Sequence, residues 1–524
     1  MNPSFKPVLI VAFAEEENLG AGYLMSVLNR EGIDVSMIDF RYDREEILAG
    51  IRRADPVVVG FSVIFEIHLD EFALLIRYLR KSGVCCHFTA GGQYASLCPE
   101  ELFRLIPELD SIVRFEGENT FPELVQSLIT GTNWRDVKNL AYQEDGRIIR
   151  TPLRSVQIDL DKFPFPARRL LREYVPGYRY ASLIAGRGCI YNCSFCNTGE
   201  FYRQAGGPKK RIRRPEMVVE EMFRIYSEKG CRIFIFQDDD CPVKTAGGNE
   251  WIKSFCLELE RRGLVNKVIW KINCRPDEID AETFSMMKSH GLYLVFIGLE
   301  DGTDAGLRVL NKKMTVASAL RGVSVLRELD IGFDYGMILF QPESSFKSLR
   351  ESLRFLEEIC SDGLVPITFL KLMPYFGTRV ERELREAGRL RGQPGNFDYN
   401  FLAPALDACW EAVSDCFAEW LWGREGVVNL AKWARNYIAV IDHLGGAPGV
   451  SDRYRSLYRD TVIMSNRFLA EALNGLLDYY DSGDYLSDGE KRKEDIAIES
   501  ARRHQLYAGT FKEMLDNLKD ESWR

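Results

Sequence analysis

No stretch of this 524-residue chain approaches the roughly 18 consecutive apolar residues that span a bilayer. The longest runs, Val8 to Ala14 and Pro56 to Phe61, are strand-sized. Basic charge is not in excess either: 68 Lys and Arg against 77 Asp and Glu give a formal charge of -9. That balance argues against nucleic acid or an anionic membrane as partner, so any basic function is local. Met1 to Pro7 lacks the apolar core of a signal peptide, and the thirteen cysteines have no even, secreted-type spacing. The expectation is a cytoplasmic protein with reduced thiols. No G-x-G-x-x-G follows the first apolar run, which weakens a dinucleotide reading. Internal repeats, low-complexity tracts and sustained heptads are missing as well.

What is present is enough apolar content, 46 %, for several cores. Through residues 1–150, apolar runs at Val8 to Phe13, Val35 to Phe40, Pro56 to Phe61, Cys85 to Ala90 and Ser111 to Phe115 alternate with amphipathic segments. That rhythm predicts an α/β fold opening with a doubly wound, Rossmann-like domain whose ligand sits at the carboxyl ends of the strands. Residues 151–179, rich in Pro, Arg and Tyr, are expected to be a linker. A second series of strands begins near Tyr180, Cys231, Val268, Tyr293, Asp334 and Thr368, and predicts a partial (β/α)6 barrel over 180–395. Residues 396–524 are expected to form an all-helical domain. There Trp410, Trp420, Trp422 and Trp433 are core residues or a roof for the active site, with core favoured.

Directly after the first strand of the second series comes Gly186-Arg-Gly-Cys189-Ile-Tyr-Asn-Cys193-Ser-Phe-Cys196. Three thiols within eight residues suit zinc or an iron-sulfur cluster. Structural zinc wants a fourth ligand, yet Cys231 opens a predicted strand and the next histidine is His290. Three ligands leave one iron open to a small chelating molecule.

This Cys-x3-Cys-x2-Cys motif, with Phe195 before its third cysteine, resembles that of the radical S-adenosylmethionine (SAM) superfamily. The resemblance implies that Cys189, Cys193 and Cys196 hold a 4Fe-4S cluster whose free iron SAM chelates, with Phe195 near the adenine. Strand-end residues Gln237, Asp238, Asn273, Arg275 and Glu300 resemble the family's SAM-binding positions. Asp239 and Asp240 are as readily helix caps. Lys209 to Arg214 is a basic run that is usually solvated but is also a possible anion site.

A doubly wound domain ahead of such a barrel resembles the cobalamin-binding branch of the superfamily. The resemblance assigns the corrinoid to Asn18, Leu19 and Gly20; to Ser62, Val63 and Ile64; to Gly91, Gly92, Gln93 and Tyr94; and to Glu116, Gly117 and Glu118. Many cobalamin domains carry Asp-x-His-x-x-Gly after the first strand. Here the stretch reads Glu15-Glu-Glu17-Asn-Leu-Gly20, so no histidine lower ligand is expected, and His68 is a substitute less favoured than a capping or solvent-facing histidine. The implied activity is that of a radical SAM C-methyltransferase. One SAM charges the cobalamin with a methyl group; a second yields the deoxyadenosyl radical that opens a carbon for methylation. Its substrate would be a small molecule or carrier-bound intermediate, its electron donor a flavodoxin or ferredoxin. Ring formation, ring contraction or oxidation with the same cofactors is the alternative.

Overall fold

The computed structural model describes residues 6–14, 17–64, 66–168, 171–244, 248–445 and 450–521. The chain opens with β1 (Val8–Ala12), α1 (Leu19–Arg30), β2 (Val35–Asp39), α2 (Arg44–Ala54), β3 (Val58–Ser62), α3 (Leu69–Lys81) and β4 (His87–Gly91). It continues through α4 (Gln93–Leu97), α5 (Pro99–Leu105), β5 (Ser111–Val113), α6 (Gly117–Thr130) and a hairpin of β6 (Leu140–Glu144) and β7 (Arg147–Arg150). The middle comprises β8 (Glu173–Val175), β9 (Tyr178–Leu183), β10 (Gly186–Gly188), α7 (Thr198–Ala205), β11 (Lys210–Ile212), α8 (Pro215–Lys229), β12 (Ile233–Phe236) and α9 (Glu250–Arg261). Next come β13 (Ile269–Cys274), α10 (Ala281–Ser289), β14 (Leu292–Glu300), α11 (Asp304–Val309), α12 (Val316–Glu328), β15 (Gly332–Phe340), α13 (Phe346–Ile359), β16 (Leu370–Lys371) and α14 (Arg379–Glu386). The chain ends with β17 (Leu390–Gln393), β18 (Asn396–Tyr399), α15 (Pro404–Trp422), α16 (Val427–Val440), α17 (Val450–Ser482) and α18 (Lys491–Glu521).

These elements form two compact units. The first comprises Met1–Arg172, Gly186–Met217 and Pro374–Asp398; the second comprises Glu173–Ala185, Val218–Met373 and Tyr399–Arg524. The cysteine motif therefore belongs to the same body as the N-terminal sheet.

In the first unit the strands are ordered β2-β1-β3-β4-β5-β6-β7, parallel through β5 and antiparallel over the last two pairs. The run Val-Leu-Ile-Val-Ala of β1 is buried throughout because helices cover both faces. Leu9 and Val11 enter one core with α2, α3 and α5, whereas Val8, Ile10 and Ala12 enter another with α1 and α6. Strand order reverses at β1, with β2 on one side and β3 on the other, which is where doubly wound sheets bind ligands.

The second unit is built on a sheet ordered β16-β15-β14-β13-β12-β9-β8, in which six strands are parallel and β8 is antiparallel. This is the expected partial (β/α)6 barrel, and α15 to α18 supply the expected helical region. One face of the sheet packs on the outer helices: the ring of Trp270 lies 5.3 Å from that of Phe255 on α9. The opposite, concave face receives α16. Arg435 donates to Phe333 O (2.6 Å) and Asp334 Oδ1 (2.8 Å) on β15, while Trp433 meets Tyr174 on β8 with ring centroids 5.3 Å apart. Helix α16 thus touches strands near opposite edges of the sheet. Trp420 is core at 2 % exposure, whereas Trp422 and Trp433 remain partly exposed. Among the described residues, no helix is long and apolar enough to cross a membrane.

Candidate active site

The cysteine motif is carried by a two-stranded antiparallel ribbon, β10 against β11. Its backbones approach so closely that glycine is required at Gly188. There φ is +86°, and a Cβ would lie 2.0 Å from Lys209 O. Cys189 and Cys193 are partly buried and Cys196 is exposed. Cys196 N donates to Cys193 O (3.2 Å), and Val380 N donates to Ser194 O (3.1 Å), tying the loop to α14. Phe195 is half-buried between its two cysteines. Among the described residues no three Cys, His, Asp or Glu side chains converge on a single ion. A cubane cluster takes one thiolate per iron, so its ligands are spread around it. Three thiols in an eight-residue loop fit that group by donor chemistry and by number.

The ribbon is fastened to the N-terminal domain by buried ion pairs. Arg187 donates to Glu118 Oε1 (2.5 Å) and Glu116 Oε1 (3.2 Å), and Arg211 donates to both Glu116 oxygens, to Oε2 at 2.9 Å. Burial opposes ionisation of Glu116, yet the hydrogen bond and charge of Arg211, with the charge of Arg187, hold its carboxyl below the usual range. Arg187 is held above its ordinary value by Glu118 and Glu116 despite its burial. Glu116 and Glu118, which the resemblance assigns to the corrinoid, are committed in the structure to holding the cysteine ribbon. The arginines of the basic run are engaged in the same way. Arg211 also donates to Gln157 O (2.7 Å), and Arg213 and Arg214 pair with Asp161 (3.4 and 3.2 Å), which argues against an anion site there.

The other corrinoid-assigned residues gather at the carboxyl ends of β1, β3 and β4. Asn18 caps α1, accepting from Ala21 N (3.0 Å), and Leu19 and Gly20 form the first turn. Glu15 and Glu16 lie outside the described residues. Ser62 ends β3, and Val63 N donates to Gly91 O (2.8 Å). Gly92 has φ +113°, and a Cβ there would lie 2.5 Å from Val63 O. Gln93 and Tyr94 open the short helix α4. Gly117 opens α6, where a Cβ would lie 3.1 Å from Leu24. Tyr94 Oη and Thr120 Oγ1 are buried with no hydrogen-bond partner among the described residues. Polar amides of a corrinoid tail suit both the bare hydroxyls and the glycine-lined backbone. We expect Gly92→Val to abolish retention of cobalamin on gel filtration, because its side chain has no room and its φ is strained. Retention equal to wild type would contradict this reading.

His68 stands at the start of α3 with its ring against the N-terminal core. Its Nδ1 meets Glu71 Oε2 at 2.9 Å, and its ring packs on Phe13 and Phe40. Ile64 and Glu66 bracket residue 65, which lies outside the described set. Glu66 is buried and accepts from Phe376 N (2.9 Å); desolvation pushes its carboxyl up to about 7. Because that value exceeds the ordinary carboxyl pKa, its contribution to stability is full below about 4.5 and is lost as pH rises through about 7. The thermal midpoint of wild type should therefore fall more steeply than that of Glu66→Gln between about pH 4.5 and 7. Equal slopes would remove Glu66 from the account.

In the second unit, Gln237 is exposed just beyond β12. Asp238 is 4 % exposed and accepts from Ala185 N with both oxygens (2.9 and 3.1 Å); its carbonyl accepts from Asn273 Nδ2 (3.1 Å). Arg275 pairs with Asp277 through two bonds (2.9 and 3.0 Å). Glu300 stands at a bulge of β14 with φ +66° and accepts from Lys312 Nζ (2.8 Å). The structure thus brings Asp238 and Asn273 together and gives Arg275 and Glu300 partners within the chain. The left-handed backbone at Glu300 is the kind of local strain that functional sites retain. Polar side chains at successive carboxyl ends suit the ammonium, carboxylate and ribose hydroxyls of SAM.

Comparison with known proteins bears on this geometry. Residues 5–125 match the model of the B12 binding domain, and residues 183–356 match that of the radical SAM superfamily. The chain belongs to the cobalamin-dependent branch of the radical SAM superfamily. It is 25 % identical over 368 residues to an uncharacterized methyltransferase, PH0819, of Pyrococcus horikoshii, covering 69 % of this chain and 77 % of that one. It is 28 % identical over 402 residues to the anaerobic magnesium-protoporphyrin IX monomethyl ester cyclase of Cereibacter sphaeroides, covering 73 % of this chain but only 62 % of that one. Its fold matches the cobalamin-dependent SAM radical enzyme OxsB with a TM-score of 0.70 at 17 % identity, over 99 % of this chain and 84 % of that one. The cofactors of this enzyme are accordingly a 4Fe-4S cluster, SAM and cobalamin.

Sequence reasoning missed the ion-pair anchor of the ribbon. Its signal was an arginine between two glycines, Gly186-Arg187-Gly188, ahead of the cysteines. An arginine there has its backbone pressed against the partner strand, and its charge needs a carboxylate.

Proposed function

We propose that this enzyme transfers a methyl group from SAM to a carbon atom of a small-molecule or carrier-bound substrate. It would work in the cytoplasm, with electrons from a flavodoxin- or ferredoxin-type donor. The observation that carries the reading is the junction of the three-cysteine ribbon with the corrinoid loops in one compact body through Arg187, Arg211, Glu116 and Glu118. When bound, the cluster with SAM supplies a carbon-centred oxidant, and the cobalamin supplies a carrier for the methyl group. The protein holds the parts. Cys189, Cys193 and Cys196 would ligate three irons; Gln237, Asp238, Asn273, Arg275 and Glu300 would surround SAM, with Phe195 against its adenine. Asn18 to Gly20, Ser62 to Ile64, Gly91 to Tyr94 and Glu116 to Glu118 would line the corrinoid side, Glu116 and Glu118 by bracing the ribbon. The stretch Glu17-Asn18-Leu19-Gly20 offers cobalt no imidazole, which favours a corrinoid that is easily reduced.

The similarity to a cyclase supports a second reading, ring formation without methyl transfer. Methyl-labelled SAM separates the two. Protein reconstituted anaerobically with iron, sulfide and cobalamin is incubated with reductant and candidate substrates. Label in the product together with deoxyadenosine supports methylation. Deoxyadenosine with an altered but unlabelled product overturns it in favour of ring formation.

A further inference from the structure

The concave face of the barrel sheet carries a cation with no hydrogen-bond or ion-pair partner among the described residues. Lys271 on β13 points the same way as Asn273, two residues further along the strand. Its register neighbours are Ile235 on β12 and Leu294 on β14, both apolar. Lys271 is partly buried, and its Nζ lies 5.9 Å from the centre of the Phe296 ring. No hydrogen bond or ion pair joins it to any described residue. The charged groups that act on it are Asp334, Arg435 and Lys432. Asp334 is already bonded to Arg435 at 2.8 Å. Three cations therefore share one committed carboxylate on this face. Burial lowers the pKa of the lysine, with Arg435 and Lys432 adding to the effect against Asp334. An ammonium in such surroundings is costly unless an anion joins it.

We infer that Lys271 anchors an anionic group of the substrate, a carboxylate or a phosphoryl group, on the concave face of the half-barrel. The inference rests on the proposed function only in taking this face as the substrate's. The lysine would then hold the molecule one side-chain repeat below the SAM-side residue Asn273. It binds and orients, and takes no part in bond making. Packing alone would not favour lysine over methionine here, because the charge gains no direct partner among the described residues. Helix α16, through Arg435, fixes Asp334 and so keeps that carboxylate from pairing with the ammonium. The C-terminal domain thereby helps to set the charge of the site.

The test uses holoenzyme loaded with cluster and cobalamin, with inorganic pyrophosphate in one arm and succinate in the other. Affinity is read by calorimetry, and protection of Lys271 by the rate of its reductive methylation in peptide mass spectra. One of the two anions should protect Lys271. Its affinity should fall about ten- to hundredfold in Lys271→Met and stay within a few-fold of wild type in Lys271→Arg. Success with pyrophosphate alone assigns a phosphoryl group; success with succinate alone assigns a carboxylate. Protection by neither anion, or unchanged affinity in Lys271→Met, overturns the inference. Loss of iron or cobalamin from Lys271→Met assigns the residue to packing and overturns it as well. None of these readouts involves methyl transfer, so failure of the proposed reaction leaves them intact.

Discussion

Replacing any one of Cys189, Cys193 or Cys196 by alanine should yield a folded protein that lacks its iron-sulfur absorbance and produces no deoxyadenosine from SAM. The loop around these residues is held by backbone contacts and by the ion pairs of Arg187 and Arg211, so removing one sulfur should leave the fold standing. The chemistry has no such redundancy. A cluster held by two thiolates exposes two irons and is readily lost, so activity should fall to background rather than by a modest factor. Cys256→Ala is the control. That thiol is buried in α9, and its loss should cost about 1 kcal/mol of packing while leaving cluster and activity in place. Iron content and absorbance near the thiolate-to-iron charge-transfer bands decide the matter. An alanine variant that retains a full cluster would remove that cysteine from the ligand set.

The second large effect is expected at Arg187. Its guanidinium lies between two acidic side chains, 5.0 Å from the ring centre of Tyr23 and 5.6 Å from that of Phe163. Arg187→Met leaves Glu118 buried without that cation, whereas Glu116 still has Arg211. Breaking a buried pair from one side costs about 3–5 kcal/mol. Because the same pair ties the cysteine ribbon to the N-terminal sheet, cobalamin retention and cluster content should fall together with the thermal midpoint. The double variant Arg187→Met with Glu118→Gln should recover a large part of the lost stability, since no bare charge remains. Recovery of stability without recovery of cofactor loading would separate the bracing role from the electrostatic cost. A single variant as stable as wild type would contradict both.

Much of the architecture was legible because its signals are periodic or dense. The all-apolar run of β1 requires a sheet covered on both faces, and both cores exist. Six βα repeats after Tyr180 appear as six parallel strands. The β6–β7 and β17–β18 hairpins were not foreseen, since strands such as Leu-Arg-Gly-Gln carry little apolar pattern and are set by pairing. Nor was the grouping of residues 186–217 and 374–398 with the N-terminal domain, because the contacts that cause it are long-range: Arg211 with Glu116, Phe376 with Glu66, Val380 with Ser194. Charge runs misled for the same reason. The basic segment 209–214 reads as solvated or anion-binding, yet Arg211 and Arg213 are buried against carboxylates more than 50 residues away in sequence. Lys271 carries no local signal at all. A lysine inside a strand is common on exposed faces, and only the fold shows that this one faces the hollow of the sheet.

The central claim is that three cysteines leave one iron of the cluster for SAM in a protein that also binds cobalamin. Mössbauer spectra of anaerobically reconstituted, cobalamin-loaded protein, recorded with and without SAM, address it directly. The account predicts that SAM shifts the signal of a single iron site while the other sites stay unchanged. A spectrum that SAM does not alter, or one in which every iron is equivalent and already fully ligated by the protein, would contradict it.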